Sequence, residues 1–159
     1  MRIETVATRV EIKTPENRDT DGFLSLAYDF LKDMEAFPNY MENVLQVRIT
    51  PKSENQSIVE WETRVEEAEF KWKQVNSYNE SNRSIQFELI EGDFDLLEGE
   101  WKVIEGSQKI FLSLELRYAI GLPVIEDVLG PILNEKMESN SLSMLRSIKN
   151  RLETTYDSN

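Results

Sequence analysis

Apolar and polar residues alternate at the start of the chain. Val6, Val10 and Ile12, with Thr8 in phase, oppose Thr5, Arg9, Glu11 and Lys13, which predicts a strand over residues 3–13. The turn formers of TPENRDTDG end it. From about Asp21 the apolar positions Phe23, Leu26, Ala27, Phe30, Leu31 and Met34 recur every three and four residues, the period of an amphipathic helix with Asp21 as its cap. In AFPNYM the helix breaks, because Phe37 precedes Pro38 and is pushed out of helical geometry, so two short helices are expected after the first strand. Strand-like runs return near 44–51, 57–66, 68–78, 84–91, 96–105 and 108–119, six more strands separated by short polar turns. A last segment begins at GLPVIEDVLGP and sets Leu129, Leu133, Met137, Met144, Ile148 and Leu152 along one face. That is a long helix with Pro131 as its kink point.

Two hairpins can be read more finely. With Glu67 and Ala68 as a turn, Val65 faces Phe70, Thr63 faces Trp72, Trp61 faces Gln74 and Val59 faces Asn76. With Gly106 and Ser107 as the next turn, Val103 faces Ile110, Trp101 faces Leu112, Gly99 faces Leu114 and Leu97 faces Leu116. Both registers collect large apolar groups on one face, and a one-residue slip would scatter them. A long antiparallel sheet with one apolar face and a long helix with an apolar stripe must bury each other. The expected class is α+β, in one domain spanning 1–159.

Composition narrows the chemistry. Thirty acidic against eighteen basic residues give a net charge of −12, which repels nucleic-acid backbones and anionic membranes. There is no cysteine and no histidine, so thiolate chemistry, the usual catalytic triads and the commonest metal ligands are excluded. No metal or cofactor is implied. The N-terminus alternates instead of running apolar, and no segment approaches the roughly 18 apolar residues of a membrane span. A cytoplasmic location is expected.

The stretch DFDLLEGEWKV sets Gly99 beside Trp101 on the inward face. A strand glycine among large apolar groups weakens the strand unless something needs the space, and the expected occupant is a ligand. Phe70, Trp72, Trp101, Leu112 and Leu114 would wall that cavity, with ordinary core packing as the competing reading. Met34, Met41, Met137 and Met144 would cluster around one end of the cavity, with plain gap filling as the competing reading. The inward polar groups are Tyr118, Tyr40, Gln74 and Asn140. A phenol can donate to a carbonyl and act as a weak acid, while a buried amide ties down a neighbouring backbone or aims at a ligand oxygen. Glu60 and Glu62 fall on the outer face as solvated charges.

In order and spacing, AFPNYMENV, EFKWKQV, GDFDLLEGEWKV, LRYAIGLP and EKMESNSLSMLRSIKNRLE resemble the polyketide cyclase/dehydrase family of START-like and Bet v 1-like proteins. The resemblance covers nearly the whole chain. It implies a helix-grip fold, a curved seven-stranded antiparallel sheet wrapped around the C-terminal helix over a hydrophobic cavity. It also implies that Trp72 and Trp101 match pocket tryptophans of the aromatase/cyclases, with Phe70 as a neighbouring aromatic. Where those enzymes use an arginine this chain has Asn76, and where they place a polar residue on the last strand it has Leu116. Fewer groups therefore remain to hold a keto oxygen as an enolate.

The function so implied is an aromatase/cyclase that folds a poly-β-ketone for aldol closure and dehydration, Tyr118, Tyr40, Gln74 or Asn140 polarising its keto groups. The alternative is a carrier for a lipid, quinone or polyketide. An acyl carrier protein is a further expected partner, and docking one requires Lys71, Lys73 and Arg83 to form a basic patch.

Overall fold

The computed structural model describes residues 2–16, 19–121 and 123–157, with side chains at all of these except 123–129 and 156–157. Strand β1 (Glu4–Lys13) leads to helix α1 (Thr20–Lys32) and a short 3-10 helix (Met34–Asn39). Then come β2 (Val44–Ser53), β3 (Gln56–Val65), β4 (Ala68–Asn79), β5 (Ser84–Gly92), β6 (Leu96–Glu105) and β7 (Lys109–Ala119), followed by α2 (Pro123–Asp157). The strands form one antiparallel sheet in the order β1-β7-β6-β5-β4-β3-β2, so the first strand joins the last and the other six make a meander.

The inward set follows the alternation. Val6 and Ile12 of β1, Val59 and Trp61 of β3, Ile85 of β5, Trp101 and Val103 of β6, and Ile110 to Tyr118 at every second position of β7 are buried. Helix α1 adds Phe23, Leu24, Ala27, Tyr28 and Leu31. It is capped by Asp19, whose side chain accepts from the Asp21 N–H at 3.3 Å. The expected cap, Asp21, instead lies in the first turn, where its charge still suits the helix dipole. Pro38 sits inside the 3-10 helix.

Helix α2 packs unevenly. Ser141, Leu145, Ile148 and Leu152 are buried, but no side chain between Gly130 and Asn140 is fully buried, and Ile132 is 55% exposed. Leu133, Met137 and Met144 are half-buried against the core, Pro131 lies within the continuous helix, and Leu129 falls outside the described side chains. Among the described residues no helix is long and apolar enough to cross a membrane.

Both hairpin registers differ from expectation by two residues, in opposite directions. Glu66 and Glu67 form the first turn, with Glu66 at φ 58°, so Val65 pairs with Ala68, Thr63 with Phe70, and Trp61 with Trp72. In the second, Glu105 pairs with Ile110 across a four-residue loop in which Gln108 takes φ 60°. Trp101 therefore pairs with Leu114, and Gly99 with Leu116. A shift of two preserves the face of every side chain and changes only its neighbour.

Candidate functional site

The new neighbours decide how much space the sheet encloses. Pairing Trp61 with Trp72 stacks the two indoles, centroids 5.7 Å apart and planes 6° from parallel. Phe37, from the 3-10 helix, lies between Trp61 and Trp101 at 6.0 and 5.9 Å. Phe94, from the link between β5 and β6, stacks on Phe70 at 5.2 Å and meets the edges of Trp72 at 5.4 Å and Tyr118 at 6.2 Å. Gly92, at φ 138°, lets the end of β5 approach Trp72 so closely that a Cβ there would lie 2.4 Å from the Trp72 Cα. These rings crowd the space between the sheet and the middle of α2, around Met137 and Met144. What remains is an apolar cavity of about 80 Å³, well below the roughly 300–1,000 Å³ of a typical ligand pocket.

Of the expected site residues, the structure brings Trp72, Gln74, Trp101, Leu114, Leu116, Met137, Asn140 and Met144 to the cavity wall. Among the described residues, no charged side chain lines the cavity. Phe70, Asn76, Leu112, Tyr40 and Tyr118 stand behind or beside that wall. Leu112 is solid core, between Val10 and Val103. Gly99 requires a correction. It makes no room for a ligand: a Cβ at this position would meet the Glu115 carbonyl oxygen at 2.1 Å, the Phe87 Cζ at 2.7 Å and the Leu116 Cα at 2.9 Å. The glycine is there because β7 and the Phe87 ring already occupy the space.

The polar groups are bonded to one another. On β4 the Trp72 Nε1–H donates to Gln74 Oε1 at 2.7 Å, Gln74 Nε2 donates to Asn76 Oδ1 at 2.7 Å, and Asn76 Nδ2 donates to Met34 Sδ at 3.4 Å. Asn76 is a fully buried amide near the end of this relay. Asn140 accepts from Asn43 Nδ2 at 2.9 Å and donates to the Arg64 carbonyl at 3.4 Å, clasping α2 to β3 and to the turn before β2.

The Tyr118 hydroxyl donates to Asn134 Oδ1 at 3.1 Å; burial, with some help from Glu4, pushes its pKa up to about 12. Burial, reinforced by Asp33 and opposed by Arg151, raises Tyr40 to about 12 as well, and the Arg151 guanidinium lies 5.3 Å from its ring centroid. Both phenols stay protonated near neutral pH. Trp61 was not singled out by sequence reasoning; its ring belongs to the wall and its Nε1–H is buried without an acceptor. Phe94 and Ser141 also line the cavity unanticipated. Phe94 carries no periodic signal because it lies outside the strands.

On the outer face, Lys71 pairs with Glu62 at 3.1 Å, and Lys73 with Glu60 at 3.7 Å and Glu91 at 3.5 Å. These lysines are interleaved with carboxylates and do not stand out as a basic patch. Arg83, half-buried in the turn before β5, lies apart from them in the chain.

A seven-stranded antiparallel sheet gripping a long C-terminal helix over an apolar cavity is the helix-grip architecture of START-like and Bet v 1-like proteins. The family model described as polyketide cyclase / dehydrase and lipid transport matches residues 24–144, and the chain belongs to that family. Among solved structures, a Thermus thermophilus protein is similar with a TM-score of 0.84 and 20% identity, over 96% of this chain and 99% of that one. The Zhui aromatase/cyclase of a Streptomyces species is similar at 0.81 and 16% identity, over 96% and 94%. A START superfamily protein of Mycobacterium smegmatis is similar at 0.70 and 18% identity, over 95% and 98%. These likenesses are of fold. A search of curated protein sequences finds no match.

Proposed function

We propose that the protein holds an uncharged, apolar small molecule between its sheet and the first half of α2, and that it acts by binding and shaping this molecule. One observation carries the reading: the inner amides and the Trp72 N–H are committed to one another and, among the described residues, no charged side chain lines the cavity. An ionised ligand would be desolvated there without a partner, at a cost of several kcal/mol. Phenols held protonated can donate a hydrogen bond at neutral pH but are poor proton acceptors. A ligand larger than about 80 Å³ enters by moving the half-packed part of α2, where Met137 and Met144 offer pliable side chains.

A second reading is the aromatase/cyclase, favoured by the family match and by the two pocket tryptophans. A poly-β-ketone closes spontaneously, so a site that only fixes its folded conformation and excludes water would still select the product. An acyl carrier protein that delivered such a chain would have to dock without a basic patch at Lys71 and Lys73, which are paired with carboxylates. The two readings separate in one experiment. The protein is added to a polyketide-synthase reaction, products are profiled with and without it, and native mass spectrometry records what it retains. A retained apolar molecule with unchanged products supports the carrier, and a changed profile supports the cyclase. Neither would overturn the proposal for that substrate class.

A further inference from the structure

Among the described residues, Trp61 Nε1 is the buried side-chain donor without an acceptor. Trp61 is 4% exposed, and its ring is held by the stacked Trp72 and the tilted Phe37. Trp72, on the other side of that stack, spends its own N–H on Gln74 at 2.7 Å. The two indoles thus share a wall of the same cavity but differ in chemistry, one donor satisfied and one not. A buried donor without a partner is costly, and natural cores rarely keep one without a use.

Resting on the ligand-binding reading above, we infer that the Trp61 indole N–H is the group that reads the ligand, donating to a carbonyl-type oxygen on an otherwise apolar molecule. The physical case has three parts. The N–H is out of reach of solvent in the closed structure, so no bulk water competes for it. The cavity is too small to take a ring system until its wall parts, and when α2 gives way at Met137 and Met144 the ligand enters a space that Trp61 lines. Finally, the ligand's acceptor meets a neutral donor, which fits a ketone or quinone oxygen and fits a carboxylate poorly, because among the described residues no cation lines the cavity. Trp61 would then set specificity for oxygen-bearing over hydrocarbon ligands, while Trp72 serves only as a stacking surface.

The test uses a matched pair of probes, 2-acetylnaphthalene and 2-ethylnaphthalene, alike in shape and differing in one acceptor. Dissociation constants are measured for the wild type, for Trp61→Phe, and for protein carrying benzothienylalanine at position 61, which keeps the bicyclic shape and removes the N–H. The wild type is expected to prefer the ketone by roughly threefold to tenfold, the range of one hydrogen bond, and both altered proteins are expected to lose that preference. In ¹⁵N-labelled wild type, which has three tryptophans, the Trp61 indole resonance should move with the ketone and not with the hydrocarbon, while that of Trp72 changes little in both. If the two probes bind the wild type equally, or the preference survives both replacements, the donor assignment is overturned and the cavity reading stands. If neither probe binds the wild type, the cavity reading itself fails and the inference with it.

Discussion

Gly99→Ala is expected to destabilise the fold strongly, and its nearest side-chain neighbour should not relieve the damage. The added methyl would lie 2.1 Å from the Glu115 carbonyl oxygen and 2.9 Å from the Leu116 Cα, both backbone atoms of β7, and 2.7 Å from the Phe87 Cζ. The Phe87 contact is with the far end of a side chain, which can swing aside. The β7 contacts can be relieved only by parting the two strands locally by about 1 Å at the Gly99–Leu116 pair. Overpacking of this kind costs roughly 1–3 kcal/mol, and a weakened ladder hydrogen bond adds about 1 kcal/mol. The expected loss is therefore ~2–4 kcal/mol, which at an m-value of ~1–3 kcal/mol/M lowers the urea midpoint by roughly 0.7 M or more. Urea unfolding of wild type, Gly99→Ala, Phe87→Leu and the double variant gives the coupling directly. Because most of the collision is with backbone, the coupling should stay under about 1 kcal/mol. A midpoint within about 0.3 M of wild type, or recovery in the double variant, would refute the argument that β7 leaves no room for a Cβ at position 99.

Asn140→Leu should cost roughly 1–2 kcal/mol in the same assay, because Asn43 Nδ2 and the Arg64 carbonyl both lose their partner while water can reach this half-buried clasp; an unchanged midpoint would show the clasp to be idle. Burial pushes the pKa values of Tyr28, Tyr40 and Tyr118 up to about 12, against about 10 in the unfolded chain. Between those values the folded state binds more protons than the unfolded state, so the contribution is complete below pH 10 and is lost as pH rises towards 12. Absorbance at 295 nm should show late-ionising phenols in the native protein, with Tyr118→Phe removing one; full tyrosine ionisation by pH 11 without unfolding would contradict this.

The strands were legible because a half-buried sheet writes its pattern directly into the chain, two residues per repeat. Their pairing was less so. Gly106 has the chemistry of a turn residue, yet the positive φ falls on Gln108, and in the other hairpin it falls on Glu66. Neither residue is a turn former by type, so local chemistry pointed one residue away from the true centre of each loop. The error left every face intact and still mattered for the site, because it moved Trp72 from opposite Thr63 to opposite Trp61. That single displacement creates the indole stack that narrows the cavity. Cavity volume is a difference between large packed volumes and leaves no periodic trace. The orphaned donor on Trp61 was equally silent, since its distinction from Trp72 depends on Gln74 lying within 2.7 Å of one indole and not the other. Gly99 misled for a related reason: a missing side chain signals that space is wanted without saying who takes it.

The strand order has a consequence for how the chain reaches this state. Glu4 pairs with Tyr118 and Lys13 with Lys109, so β1, synthesised before the other six strands of this sheet, has no partner until β7 has been made. The meander from β2 to β7 can zip locally, hairpin by hairpin, while β1 waits on a loop-closure entropy spanning most of the sequence. During synthesis the alternating segment ETVATRVEIK is then an unpaired edge, with Val6, Val10 and Ile12 in water. Its interleaved Arg9, Glu11 and Lys13 give that waiting strand the charges that discourage pairing with another copy, and the same residues end on the solvent side once β7 arrives.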